Sequence, residues 1–375
     1  MRILVLVHEY PPVGGGGGKV AQDICEGLAA RGHEVCLLTS YIKGLPHDET
    51  RGGVRVIRLR CGRKHAYKAT FSDMAMYLLV GFWQGLKIIR RWKPDVMHVH
   101  FAVPAGVLGW LLSSLTGTPY LLTAHLGDVP GGVPEKTDKW FKWVAPFTPG
   151  IWKRARQVVA VSSFTRDLAL KHYPVQISVI NNGVNTKEFD PGDLAVHSPP
   201  RILFVGRIVP QKNPLQVVRT LAEVQDLQWD CTIVGDGELR GEMEAEAEQL
   251  GLRGRMQFTG WIAPEEVKEW FRISDILFMP SLSEGLPVVG VQALSMGLAF
   301  VVGEVGGFVD LVDEGVNGWM HQPQDTERFT GSLRILLEDK NRLRVNRRNS
   351  RKKASDFDLE KIVKQYEAHL KECAR

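Results

Sequence analysis

Short apolar runs alternate with amphipathic helical stretches along nearly all 375 residues, and this alternation limits the fold more than any other feature. The runs fall near 3–8, 35–39, 54–59, 96–100, 120–123, 158–161 and 177–180, then near 202–205, 231–234, 256–259, 276–279 and 300–302. Apolar runs this short fit strands buried on both faces. The helical stretches between them are the crossovers that parallel strands require. The expected class is therefore α/β, with two Rossmann-like, doubly wound parallel-sheet domains in succession. The Pro-rich, aperiodic DPGDLAVHSPP at 190–200 is the natural boundary. It predicts a first domain over 1–190, a second over 191–355, and a terminal helix over 356–375. Ligands of such domains bind at the carboxyl ends of the strands.

Charge separates the halves. Residues 1–190 hold 24 Lys and Arg against 14 Asp and Glu, or +10; the remaining 23 against 28 give −5, for a total of +5. A basic half suits an anionic substrate or a bilayer surface, and no nucleic-acid reading motif accompanies it. The five cysteines are odd in number and lack a CxxC pair, so neither a disulfide framework nor a zinc site is expected. The apolar run in MRILVLVHEY is too short for a signal-peptide core and predicts a first strand, hence a cytoplasmic protein. Uncharged runs at 101–124 and 285–303 are broken by Pro, Gly or turns, and neither predicts a membrane span.

Several loops carry candidate chemistry. Glycines 14–18 follow the first strand and precede a helix expected at about Lys19; glycine backbone and free helix N–H groups can approach phosphate. Five glycines can equally be a flexible loop. In RILFVGRIVPQKN, Arg207 and Lys212 flank a Pro-containing loop just after a strand. Arg offers a planar fork to phosphate oxygens and Lys a point charge, although two loop cations can also be an ordinary surface pair. Glu284 precedes a helix expected near 287–296, with Gln292 eight residues on; a carboxylate there can cap the helix or accept sugar hydroxyls. His125 in TAHLGD ends a strand, with Asp128 three residues on. His98 and His100 alternate on one strand face, too few for a metal site and better suited to core and crevice packing. The D-x-D triplet Asp356-Phe357-Asp358 opens the terminal helix and fits an N-cap.

Together with PPVGGGGG, RGHEV, DVMHVH, VSSF, INNGVN, VGDGELR, FTGWI and VDEGVNGWM, these segments resemble retaining GT-B glycosyltransferases of the family-four type, also termed glycosyl transferases group 1. That family carries Gly-Arg followed five residues later by Lys, then E-x7-E. The resemblance implies two domains facing a central cleft and a terminal helix that packs back toward the first domain. It assigns catalytic roles to His125, Arg207, Lys212 and Glu284, and donor contacts to Gly15, Gly16, Gly285, Leu286 and Gln292. Two positions depart: the family's second glutamate is Gln292, and the glutamate usual after the Gly-Gly step is Asp310. A neutral amide still accepts from a ribose hydroxyl but forfeits charge assistance.

The resemblance implies transfer of a hexose-type sugar from a nucleoside-diphosphate donor to an acceptor hydroxyl, with retention and with the donor phosphate helping to deprotonate the acceptor. It implies no cofactor and no metal, because the two cations replace one. The acceptor candidates include a lipid or lipid-linked glycan. The segment at 135–156 interleaves Lys and Arg with Trp140, Phe141, Trp143, Phe147 and Trp152, and 67–79 adds Phe71, Met74, Met76 and Tyr77. Aromatic residues beside basic ones suit an anionic membrane surface, here the inner face of the cell membrane, or a stripe packed on the sheet. The alternatives are a sugar-nucleotide epimerase of similar fold and a noncatalytic nucleotide-sugar-binding module.

Overall fold

Strands form where the apolar runs can be buried from end to end. Residues Ile3 to Leu6, Val96 to His100 and Ile276 to Met279 are all inaccessible or nearly so, as central parallel strands must be. The computed structural model describes residues 1–66, 69–133 and 144–375. It divides into two units, Met1–Gly183 with Leu359–Arg375, and Val184–Asp358.

In the first unit the strands are β1 (Arg2–Leu6), β2 (Glu34–Ser40), β3 (Asp48–Arg51), β4 (Val54–Leu59), β5 (Val96–His100), β6 (Tyr120–Ala124), β7 (Gln157–Ala160) and β8 (Ser178–Val179). Among the described residues they form one sheet in the order β3-β4-β2-β1-β5-β6-β7-β8, parallel throughout except that β3 runs antiparallel to β4. The second unit orders β9 (Arg201–Val205), β10 (Asp230–Val234), β11 (Met256–Gly260), β12 (Ile276–Met279), β13 (Ala299–Gly303) and β14 (Gly318–His321) as β11-β10-β9-β12-β13-β14, all parallel. These are the two expected doubly wound sheets. Strand order reverses between β1 and β5 in one and between β9 and β12 in the other, and such switch points are where sheets of this kind bind ligands.

Two strands escape the apolar-run criterion. The β3 residues are Asp-Glu-Thr-Arg, largely exposed, and join the sheet as an edge hairpin through Gly52 and Gly53, whose φ values of 55° and 77° other residues rarely adopt. In β14, Gly318 lies so close to β13 that a Cβ would sit 2.2 Å from the Phe300 carbonyl oxygen. The first helix is Gly16–Ala30, so it begins inside the glycine run and not near Lys19. Gly17 and Gly18 fall within its first turn, and each packs too tightly for a side chain, the first on Phe101 and the second on the Glu9 carbonyl.

The C-terminal helix Leu359–Ala374 belongs to the first unit and lies on helix Gly16–Ala30. A Cβ on Gly27 would stand 2.5 Å from Val363, and Glu367 receives both Arg31 (2.6 Å) and His33 (3.0 Å). Asp358, just before the helix, accepts the Thr186 hydroxyl.

A buried carboxylate ties the second unit together. Asp275, fully inaccessible, accepts Arg347 Nη1 at 2.5 Å, the Arg201 backbone N–H at 2.8 Å, and contacts His197 Nδ1 at 3.1 Å. It thereby joins the entry to β12, the entry to β9 and the helix Lys340–Lys353. Removing one partner of a buried pair strands the other charge. Asp275→Ala is expected to lower stability by about 3–5 kcal/mol, and the Asp275→Leu/Arg347→Leu double variant by less than Asp275→Ala. Equilibrium urea denaturation checks both.

Candidate functional site

In the second unit, the loops after β9 and β12 meet at the switch point and hold the site. Beyond Val205 the chain turns at Gly206 (φ 153°), exposes Arg207, and makes a tight 3-10 turn over Pro210–Lys212. Asn213 follows in left-handed conformation (φ 50°) and bonds the Pro323 carbonyl, aiming helix Pro214–Ala222 back over the sheet. Gln211 stitches the two loops: its carbonyl accepts the Leu282 N–H at 2.9 Å and its side-chain amide donates to the Ser283 carbonyl at 3.0 Å. This registration brings Lys212 Nζ to 2.5 Å from Glu284 Oε1, with the side chains only 14% and 6% exposed. Arg207 forms no ion pair among the described residues and stays at the surface.

Glycines of the neighbouring loops support each side of that meeting. A Cβ on Gly235 would lie 1.9 Å from the Gly206 carbonyl oxygen, and one on Gly237 2.3 Å from that of Ile208. A Cβ on Gly306 would lie 1.4 Å from the Glu284 carbonyl oxygen, and one on Gly307 2.1 Å from that of Gly285. The Gly307 N–H also donates to the Glu284 carbonyl. Gly285 and buried Leu286 thus form a shelf on the glycine pair, leading into helix Val288–Ser295, in which Gln292 is partly exposed. Asp310 lies in the short helix Phe308–Leu311 that follows. Sequence reasoning named Glu284 but missed Gly306 and Gly307 as its support; the doubled glycine was the available signal.

In the first unit, the switch point between β1 and β5 collects neutral groups. The His125 ring stacks on Phe101 at 4.2 Å, and Gly17 comes so near that a Cβ would stand 2.4 Å from the Phe101 ring and 3.5 Å from His125. Phe101 holds φ at 72°, an uncommon conformation for a bulky residue. Burial, with His8 nearby, lowers the His125 pKa to about 3, so its imidazole is neutral. Its Nε2 has no partner among the described residues, and neither do the ring nitrogens of His100. His98 and His100 lie 4.2 Å apart, fully buried, and His98 Nε2 pairs with the Thr123 hydroxyl. Asp128 takes the His125 backbone N–H at 2.8 Å, yet burial raises its pKa to about 7. Gly15, the helix N-cap, faces open space, with Gly16 opening the helix.

Arg63, unremarked in the sequence, shapes this edge. Its buried guanidinium reaches Glu9 Oε1 (3.0 Å) and the carbonyls of His8, His65 and Ala66, while the Ala66 carbonyl also accepts the Gly14 N–H. One cation therefore fixes the glycine loop through backbone oxygens, a role with no local sequence signature.

Of the basic aromatic segment, Lys139, Trp140, Phe141, Lys142 and Trp143 lie outside the described residues. Phe147 is exposed. Trp152 follows the packed alternative: it is fully buried and stacked on Tyr173 at 4.3 Å, because helix Thr148–Arg154 turns that face to the sheet. Tyr77 is likewise buried, whereas Phe71 and Met76 are exposed. Among the described residues no cluster of three or more His, Cys, Asp or Glu could hold a metal, and no helix is long and apolar enough to cross a membrane.

Comparison with known proteins bears on the family and the fold. The family model "Glycosyltransferase Family 4" matches residues 14–188, and "Glycosyl transferases group 1" matches 186–353. An uncharacterised glycosyltransferase of Methanocaldococcus jannaschii is 27% identical, with 90% of each chain covered. The UDP-Gal:alpha-D-GlcNAc-diphosphoundecaprenol alpha-1,3-galactosyltransferase of Escherichia coli is 29% identical, over 74% of this chain and 75% of that protein. Sucrose-phosphate synthase of Thermosynechococcus elongatus shares the fold with a TM-score of 0.86 at 22% identity, covering 99% and 98% of the two chains. The chain belongs to the GT-B-fold glycosyltransferases.

The buried imidazoles give the first unit a pH signature. With folded pKa values of about 4 for His8 and about 3 for His98 and His125, against 6.5 ordinarily, the stability they confer is complete above pH 6.5 and is lost as pH falls toward 3. Asp128, raised to about 7, acts oppositely: its contribution is full below 3.8 and lost as pH rises through 7. Three histidines outweigh one carboxyl, and each group protonated in only one state contributes a slope of about 1.4 kcal/mol per pH unit. Melting temperature is expected to fall between pH 7 and pH 5. His100, whose pKa burial also lowers, adds to the slope, so His100→Leu should flatten the fall. Calorimetric melts across that range check this.

Proposed function

We propose that this protein is a retaining glycosyltransferase that moves a hexose-type sugar from a nucleoside-diphosphate donor to an acceptor hydroxyl carried at a membrane surface on a lipid or lipid-linked glycan. The observation that carries the reading is the convergence of Arg207, Lys212 and Glu284 at one switch point of the second unit. Lys212, held by Glu284, and the exposed fork of Arg207 suit the two phosphates. Gly285, Leu286 and Gln292 continue the donor surface, and Gln292 accepts from a ribose hydroxyl as a neutral amide.

In transfer, the bond between the anomeric carbon and the diphosphate oxygen breaks as the acceptor oxygen bonds to the same carbon. The acceptor proton passes to the departing phosphate oxygen. Negative charge grows on the diphosphate, and cations fixed in advance stabilise that state more than the bound donor. Glu284 has two tasks: it orients Lys212 and offers its carboxylate to sugar hydroxyls. Neutral His125 suits hydrogen bonding or positioning and not proton abstraction, since its pKa of about 3 leaves little basicity. Gly15 and Gly16 offer an approach for anionic or hydroxyl groups in the first unit. The diphosphoundecaprenol in the name of the Escherichia coli relative supports a lipid-linked acceptor.

Arg207→Ala and Lys212→Ala are each expected to lower turnover at least about tenfold with the fold intact, and Glu284→Ala to lower it further. Single-turnover assays with UDP-sugars and candidate acceptors measure this; normal turnover in the cation variants would reject the assignment. Activity should persist in excess chelator, because Arg207 and Lys212 supply the positive charge. Gln292→Glu is expected to keep or modestly raise donor affinity, read by calorimetry. Donor altered in the absence of acceptor would favour the epimerase.

A further inference from the structure

Three neighbouring helices of the first unit expose large apolar side chains on adjoining outer faces. On helix Phe71–Trp92, Phe71 (71% exposed), Met76, Leu79 (59%) and Trp83 (65%) point outward. Met76, Leu79 and Trp83 share a stripe at spacings of three and four. The inner face of this helix packs on helix Val107–Thr116 through glycines: a Cβ on Gly81 would meet Leu108 at 2.8 Å, and one on Gly85 would meet Leu112 at 2.7 Å. That close contact sets the helices side by side and turns Trp110, Leu111 and Leu115 outward. Helix Thr148–Arg154 abuts the other flank, where Gly150 lies against Trp110, and Phe147 at its start is 77% exposed. Burying none of these rings is costly in water, and an apolar face this extended marks a contact surface.

We propose that this three-helix face is a bilayer-docking surface for anionic phospholipid. The charge pattern selects that occupant. Along the stripe of helix Phe71–Trp92 the apolar residues give way to exposed Lys87, Arg90 and Arg91, none of which forms an ion pair among the described residues. Exposed Lys153 adds to the positive charge on the third helix. The one carboxylate on helix Phe71–Trp92, Asp73, is engaged in capping the Thr70 N–H. Indole rings of the kind at Trp83 and Trp110 favour the headgroup boundary, while flanking cations are attracted to anionic headgroups. The pattern is the one an interfacial binder carries, an apolar stripe with basic residues at its end, and among the described residues no helix is long and apolar enough to cross a membrane. Its purpose, bringing the enzyme to a lipid-linked acceptor, rests on the function proposed above; lipid binding itself is measured separately.

Co-sedimentation with phosphatidylglycerol vesicles and with neutral phosphatidylcholine vesicles tests the proposal. Binding is expected several-fold greater on the anionic vesicles and weakened by about 0.5 M salt, which shortens the Debye length to a few ångströms. Leu79→Ser/Trp83→Ser should reduce binding at least about fivefold. Lys87→Glu/Arg91→Glu should remove the preference for phosphatidylglycerol. Both pairs are at exposed positions, and unchanged melting curves together with unchanged calorimetric binding of UDP confirm the fold. Absence of wild-type binding to either vesicle, or unaltered binding in both variants, would overturn the proposal. A wild-type dimer in light scattering that Leu79→Ser/Trp83→Ser dissolves would assign the face to a second copy of the chain. Vesicle binding without any sugar transfer would leave the surface in place and remove the glycosyltransferase reading; transfer to a soluble acceptor without vesicle binding would do the reverse.

Discussion

Backbone packed directly on backbone is the constraint from which the second unit's site follows. Gly235 lies on the Gly206 carbonyl, Gly237 on that of Ile208, and Gly306 and Gly307 on those of Glu284 and Gly285. At these distances any Cβ would overlap a carbonyl, so the loops close together only because each contact has no side chain. Between the two loops so supported, Gln211 bridges to Leu282 and Ser283, and this bridge sets Lys212 against Glu284. The ion pair is a consequence of loop packing. Neighbouring charges in sequence would not produce it, since 72 residues separate the partners.

The units use opposite electrostatic means at equivalent places in the fold. Where β9 and β12 part, the second unit presents Arg207, Lys212 and Glu284. Where β1 and β5 part, the first unit presents imidazoles kept neutral by burial, with Asp128 raised toward neutrality beside them. A charged crevice suits a diphosphate, whose charge increases as the leaving group departs. A neutral one suits hydroxyl groups, which need hydrogen-bonding partners and would gain little from a fixed cation. Arg63 shows that the first unit does not lack buried cations; its charge is spent on Glu9 and backbone carbonyls that hold the glycine loop.

The same glycine economy shapes the outside of the first unit. Gly81 and Gly85 let helices Phe71–Trp92 and Val107–Thr116 approach closely, and that approach determines which of their aromatic and aliphatic residues remain uncovered. Trp152 and Trp110 illustrate the result. Both are on surface-layer helices, yet one stacks on Tyr173 in the core and the other is exposed, so residue type alone does not distinguish a packing ring from a contact ring.

The alternation of apolar runs and helical stretches determined the fold class, because parallel strands buried on both faces leave no other pattern for their sequence. It also located the strands whose following loops carry Arg207, Lys212, Glu284 and His125, while the roles expected of those residues came from the motif resemblance. Strand β3 was illegible because an exposed edge hairpin needs no apolar residues, and β14 because its short run owes its place to a glycine's fit against β13. Tertiary structure alone decided that Lys212 pairs with Glu284, that Gly306 and Gly307 support the shelf, that Arg63 anchors the glycine loop, and that Trp83 is uncovered while Trp152 is not. Each of these depends on distances between segments remote in sequence, and local propensity carries no record of such distances.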